Sequence, residues 1–296
     1  TFTDCMMSIE AWGDANGEQQ AHGLRDSSRF NLFLRDTMLL GMTSKAARRA
    51  LLSQSGTWPG TTGYNSWVDC YYKSFAVRDG GSTCSFEFQD NTNGGLVQGC
   101  QFISRTGVPL AISGNAQADS MVMRHCTFYT GGSQIYRYES GTNVTTARFN
   151  GNAYVGRSVG SCASNATAAY RLETLGASAQ SDSNAFYTAD STYAFSKGTS
   201  GALLCYTPAA WRTASTNDLA SRSYVLGAGV VTDTTWATLD LRPAASSTLV
   251  SSLFPGGYAG AFNAAAAETP AATYYGGWND DDWYVWPDFY RRERDE

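Results

Sequence analysis

The chain has 296 residues, 43% of them hydrophobic and 16% charged, with a formal net charge of −5. That apolar share supports a continuous core, while charge below the usual quarter excludes amphipathic helices with charged backs. The absence of any apolar run of about eighteen residues excludes a membrane-spanning helix, and the lack of a basic footprint excludes nucleic acid as a partner.

Cysteine and histidine narrow the chemistry further. Seven Cys is an odd count, so at least one is unpaired within the chain. There is no CxxC, and His22 and His125 are the only histidines, which argues against a zinc site. Eighteen of the 21 cations are Arg, with Lys only at positions 45, 73 and 197. Arg offers a planar fork suited to carboxylate or sulfate.

In chain order, Thr1-Phe2-Thr3-Asp4-Cys5 reads as a strand. Small or polar residues followed, after one position, by a large apolar residue then recur. Asp4-Cys5-Met6-Met7 and Arg35-Asp36-Thr37-Met38 are weak copies, and Asp69-Cys70-Tyr71-Tyr72 is a clearer one. Between them, Ser44 to Leu52 has the composition of a short helix with Ser44 as N-cap, broken by Gly56-Thr57-Trp58-Pro59-Gly60. Residues 40–66 are therefore expected to form a loop insertion. Gly99-Cys100-Gln101-Phe102, His125-Cys126-Thr127-Phe128 and Gly151-Asn152-Ala153-Tyr154 follow at a spacing of 26, and Ser183-Asn184-Ala185-Phe186 comes 32 later.

Alternating residues precede each unit, as in Leu96-Val97-Gln98 and Met121-Val122-Met123, which is a strand period of two leading into a bend. Repeats of this length define a solenoid. The expected fold is all-β, a right-handed parallel β-helix of about seven rungs over 1–190. Residues 191–296 form the last rung and an irregular capping tail of the same domain. A coil of this kind needs a cap over its first rung, so residues ahead of Thr1 are expected. Equivalent positions would stack about 4.8 Å apart. Tyr72, Phe102, Phe128, Tyr154 and Phe186 would then form one internal aromatic stack. Cys100, Cys126, Asn152 and Asn184 would form a ladder at the bend, its thiols free because parallel side chains rarely reach the disulfide torsion.

The segment from Asn184 onward resembles the C-terminal end of secreted right-handed parallel β-helix repeat proteins of the pectin-lyase-like superfamily. The matching stretches are Asn184-Ala185-Phe186-Tyr187, Tyr206-Thr207-Pro208-Ala209-Ala210-Trp211-Arg212 and Asn217-Asp218-Leu219-Ala220-Ser221. Asp240-Leu241-Arg242-Pro243, Ser246-Ser247, Tyr258-Ala259-Gly260-Ala261-Phe262 and Gly276-Gly277-Trp278 follow. Asn217 stands where the family has glycine, which leaves that turn open to a different shape. The resemblance implies a secreted or cell-surface protein. It does not choose among lyases, hydrolases, tailspikes and adhesins, since fold does not give function.

Polysaccharide-active coils of this kind use one outer sheet as a groove. Phe86-Glu87-Phe88-Gln89 aligns with Leu110-Ala111-Ile112-Ser113, and Tyr136-Arg137-Tyr138-Glu139 with Tyr170-Arg171-Leu172-Glu173. With the large apolar residues turned inward, Glu87, Gln89, Arg137, Glu139, Arg171 and Glu173 point outward. Glu87, Gln89, Arg137 and Arg171 are the candidate substrate-binding residues. Arg137, Glu139, Arg171 and Glu173 are the catalytic candidates. Arg137 or Arg171 would neutralise a uronate carboxylate or serve as base, and Glu139 with Glu173 would suit a hydrolase pair. The competing reading is a cross-strand ion ladder that only stabilises the sheet.

Lys73, Arg78, Asp79 and Arg105 read as solvated turn residues, and His125 as structural. No cofactor is called for. Calcium would fit such a coil, but no Asp/Glu cluster is dense enough to name a site, Asp280-Asp281-Asp282 being the nearest. Asn143-Val144-Thr145 and Asn165-Ala166-Thr167 are sequons by pattern. The aromatics from Tyr274 to Tyr290 would cover the side of the coil or stack on sugar. The expected function is a structural, adhesive or carbohydrate-binding role outside the cell, without catalysis, on a polysaccharide or cell-surface glycan, with self-association through the coil ends. The alternative is a polysaccharide lyase or glycoside hydrolase acting on an acidic polysaccharide.

Overall fold

The computed structural model describes residues 2–3, 5–11, 21–26, 32–42, 47–54, 63–74, 84–89, 93–105, 108–113, 121–131, 136–138, 148–156, 170–172, 180–188, 195–197, 204–225, 230–235, 239–252, 254 and 257–262. The strands come in threes. The first circuit is Phe2–Thr3 (β1), Met6–Ala11 (β2) and Ala21–Asp26 (β3), and the second Leu32–Leu34 (β4), Thr37–Met42 (β5) and Ala47–Gln54 (β6). The third is Gly63–Val68 (β7), Tyr71–Ser74 (β8) and Cys84–Gln89 (β9), and the fourth Asn93–Gln98 (β10), Gln101–Ser104 (β11) and Val108–Ser113 (β12). The fifth is Met121–Arg124 (β13), Thr127–Thr130 (β14) and Tyr136–Tyr138 (β15). Arg148–Asn150 (β16), Ala153–Gly156 (β17) and Tyr170–Leu172 (β18) make the sixth. Gln180–Asp182 (β19), Ala185–Thr188 (β20) and Phe195–Lys197 (β21) make the seventh. Leu204–Tyr206 (β22), helix Pro208–Ser215 (α1), Arg222–Val225 (β23), Val231–Asp233 (β24) and Asp240–Pro243 (β25) follow.

Every third strand pairs. The first sheet runs β1-β4-β7-β10-β13-β16-β19, the second β2-β5-β8-β11-β14-β17-β20-β23, and the third β3-β6-β9-β12-β15-β18-β21-β22. All these pairs are parallel except β21 with β22. The chain is mostly strand, and its large sheets are parallel. Among the described residues no helix is long and apolar enough to cross a membrane.

The passage from the first sheet to the second is a sharp bend of fixed geometry. One residue at each of six bends is left-handed: Arg35, Asp69, Gly99, His125, Gly151 and Ser183 have φ between 51° and 67°. Glycine takes this conformation at Gly99 and Gly151 without steric penalty, whereas a side chain there costs about 1–2 kcal/mol. The next residue offsets that cost. Cys126 N–H donates to Asn152 Oδ1 at 2.9 Å, Asn152 N–H to Asn184 Oδ1 at 2.9 Å, and Asn184 N–H to Ser221 Oγ at 2.8 Å. Earlier in the column Cys5 N–H donates to Asp36 Oδ1 at 2.8 Å and Cys70 N–H to Cys100 Sγ at 3.4 Å.

Four side chains of the column donate back to a carbonyl of the preceding circuit. Cys70 Sγ reaches Phe33 O, Cys100 Sγ reaches Trp67 O, Asn152 Nδ2 reaches Met123 O and Asn184 Nδ2 reaches Phe149 O. Buried backbone groups at the bend are thereby paired, as burial demands. Cys5, Cys70, Cys100 and Cys126 are free thiols, as the parallel register implies. Burial pushes the Cys100 thiol well up, so it stays neutral and inert.

Two residues past each column position the expected aromatic stack is in place. Tyr72, Phe102, Phe128, Tyr154 and Phe186 lie with successive ring centroids 5.4, 5.1, 4.9 and 5.0 Å apart and near-parallel planes. The opposite face of the second sheet is buried too. Ile103, Tyr129, Val155 and Tyr187 pack against Val230, Leu241, Leu249, Phe254, Ala261 and Phe262. The C-terminal segment therefore lies across this sheet.

Three sequence expectations need correction. The helix expected over Ser44–Leu52 is not formed, because Ala47–Gln54 is strand β6, paired on both sides with β3 and β9. Helix propensity yields there to two open sheet edges. Strands β5, β6 and β7 likewise fall within the interval 40–66 that read as a loop insertion. Lys73, read as a solvated turn residue, lies in β8 and is buried.

Asn152→Ala strips partners from both Cys126 N–H and Met123 C=O. We expect a loss of about 2–4 kcal/mol in chemical denaturation, larger than that of Cys126→Ala. Equal losses would contradict the ladder's role.

Candidate functional site

The alignment expected for the third sheet is its register. Phe86, Glu87, Phe88 and Gln89 pair with Leu110, Ala111, Ile112 and Ser113. Ala111 pairs with Arg137, Arg137 with Arg171, and Arg171 with Ser196. Glu87, Ala111, Arg137, Arg171 and Ser196 thus form one row across five strands, and Gln89 shares the neighbouring row with Ser113. Glu139 and Glu173 lie outside the described residues. Arg137 and Arg171 are therefore each other's direct partners, with no carboxylate at either directly opposed position. Like charges directly opposed across strands destabilise a sheet unless something answers them.

A second group assembles at the bend between the first and second sheets. His125 stacks on Tyr258 at 4.4 Å, and Arg124 Nε donates to Gln98 Oε1 at 2.7 Å. Burial, then the Arg124 charge, holds the His125 imidazole below its usual value. Burial and the Asp69 charge raise the Tyr258 phenol. Tyr258 belongs to Tyr258-Ala259-Gly260-Ala261-Phe262, whose docking explains its glycine. Gly260 has φ 93°, and a Cβ there would lie 2.7 Å from Thr127 Oγ1 and 3.0 Å from the Ala153 methyl. Its N–H donates to Gly151 O at 2.8 Å, and Ala261 N–H donates to Thr127 Oγ1 at 2.9 Å.

A third group closes the last circuit. Thr207 caps α1 by accepting from Ala210 N–H at 3.2 Å, with Pro208 in its first turn. The Thr-Pro pair is a sequence signature of a helix start, and it was the signal available for this otherwise unexpected helix. Trp211 stacks on Phe195 at 5.3 Å and donates Nε1–H to Asp218 Oδ2 at 2.9 Å. Asp218 Oδ1 accepts from Ser181 and Ser221 hydroxyls at 2.8 Å and from Asn184 Nδ2 at 3.3 Å. Asn217 is not left-handed; Thr216 and Asp218 are. Its Oδ1 accepts from Ser181 N–H at 2.9 Å.

This carboxyl joins the helix to the bend column, a structural task. Arg105 is exposed beside β11. Arg78, Asp79, both sequons, Asp280-Asp281-Asp282 and the Tyr274–Tyr290 aromatics lie outside the described residues. Among the described residues no group of three or more His, Cys, Asp or Glu could hold a metal ion. Comparison of the chain with protein-family models, curated proteins and solved structures finds no match.

Burial pushes the Asp218 carboxyl above its ordinary range, against the pull of its four hydrogen-bond donors. With a raised native pKa, its contribution is complete below the ordinary 3.8 and lost as pH rises through the native value. Asp218→Asn removes this titration and turns an NH2 toward a donor. We expect it to destabilise by about 1–3 kcal/mol at acid pH, with the gap to wild type narrowing as pH rises. A gap that stays constant in denaturation curves across pH would refute this.

Proposed function

We propose that the three parallel sheets close into a right-handed parallel β-helix of the pectin-lyase-like kind, secreted or held at the cell surface. In this reading it binds an acidic polysaccharide or cell-surface glycan along the third sheet and does not catalyse. The observation that carries it is the Arg137–Arg171 register. Two guanidinium-bearing residues directly opposed in a sheet weaken it when empty, and a row of carboxylates or sulfates on a bound polymer relieves that repulsion through charge-assisted pairs. Support for the coil comes from the strict every-third-strand pairing, since parallel strands need long crossovers and here each crossover passes through the other two sheets. The disulfide at Cys205 fits an oxidising compartment.

The same pair of arginines also suits a lyase, in which one neutralises a uronate carboxylate and the other acts as base. A lyase releases unsaturated products that absorb in the ultraviolet. Self-association through a coil end is favoured at β1, β2 and β3, each paired on one side only among the described residues, whereas at the other end α1 packs Trp211 on Phe195.

Binding is tested with uronic-acid, sulfated and neutral polysaccharides at fixed ionic strength. We expect affinity for the acidic polymers only, falling about tenfold or more for Arg137→Ala or Arg171→Ala, with each single variant more stable than wild type when unliganded. Equal binding by wild type and both variants would remove the reading, and product absorbance would replace it with the lyase.

A further inference from the structure

We propose that the Tyr258–Phe262 segment is an acid-released clasp over the second sheet, with the His125–Tyr258 stack as its catch. This goes beyond glycan binding and uses none of the third-sheet residues.

The clasp is held by few groups. Gly260 N–H and Ala261 N–H bond the sheet through Gly151 O and Thr127 Oγ1, and Ala259 N–H bonds Leu249 O at 2.7 Å within the C-terminal segment. Ala259, Ala261 and Phe262 belong to the same buried apolar cluster as Ala153, Val155 and Ala185. At its leading end Tyr258 rests on the His125 ring. That ring in turn lies over Gly151, whose missing side chain leaves the room: a Cβ there would come within 3.0 Å of it.

The catch favours the neutral imidazole. His125 Nδ1 is buried and has no hydrogen-bond partner among the described residues. As an acceptor it forgoes one bond, but protonation would turn it into a buried cationic donor with nothing to receive it, a far costlier state. The described groups around the ring offer little compensation. Arg124, from β13, repels a charge there and is already oriented by Gln98. Tyr258 faces the ring from the clasp as a neutral phenol. Asp69, at the bend between β7 and β8, acts on Tyr258 and lies over Gly99 within reach of the Arg35 charge. Gly99 and Gly151, on the flanking bends, carry no side chain.

Burial and Arg124 accordingly lower the native His125 pKa below 6.5. The stacked state is fully stable above that value and loses stability as pH falls through the native pKa. Release uncovers part of an apolar strip that includes Val155 and Tyr187.

Two measurements test the clasp. In hydrogen exchange corrected for intrinsic pH dependence, Gly260 and Ala261 amides should lose protection between about pH 7.5 and about pH 4.5 while the Ala153 and Ala185 amides keep theirs. The loss should be about tenfold per unit by which docking lowers the His125 pKa. His125→Asn, which tolerates the left-handed backbone, should show no pH-dependent change. Independently, an NMR titration should show the His125 pKa rising in Tyr258→Ala, as burial is relieved while Arg124 stays, and remaining depressed in Tyr258→Phe. Unchanged Gly260 and Ala261 protection in wild type, the same pH-dependent loss in His125→Asn, or one His125 pKa in wild type and Tyr258→Ala would each overturn the proposal.

Discussion

At the bends of Cys70, Cys126 and Asn152 one side chain from the following circuit meets both a backbone N–H and a backbone C=O. Asn152 and Asn184 do so with amide geometry, accepting at Oδ1 and donating at Nδ2. Cys100 does it with one sulfur that accepts from Cys70 N–H and lies 3.4 Å from Trp67 O. An unmet buried donor or acceptor costs about 1–3 kcal/mol, so the left-handed residue before each column position is tolerated only while the column is intact. The aromatic stack follows from the same constraint, because fixing the bend fixes the register of the ring two residues on.

This explains which parts of the structure the sequence exposes. The column and the stack are short-range patterns, a small polar residue and a ring separated by one position, repeated at 26 residues. They could be read without knowing any tertiary contact, and so could the third-sheet register through Arg137 and Arg171. Ser44–Leu52 misleads because its Ala, Arg and Leu favour helix locally while β3 and β9 demand a strand between them. Lys73 misleads because a charge was taken for solvent exposure, whereas its strand position puts it on the face covered by the C-terminal segment. Tyr258 against His125 had no sequence signal, since nothing local in either segment names the other.

The candidate site shows the same division. Placement of Arg137 opposite Arg171 follows from counting residues to the next bend. The consequence, that neither directly opposed position holds a carboxylate, needed the register of Ala111 and Ser196 on either side. The buried Asp218 hub was visible only as a motif. Its task of joining Trp211, Ser181, Ser221 and Asn184 emerges from distances.

The bend column also has a direction. Each residue in it completes the bend made before it, so a bend is satisfied only once the next circuit is in place. Asn184 waits for Ser221. Ser221 arrives after α1, in the stretch that also holds Asp218, and with it the advancing end closes. Without that stretch the Asn184 N–H lacks its acceptor, and the sequence places helix and hydroxyl together at the point where the column ends.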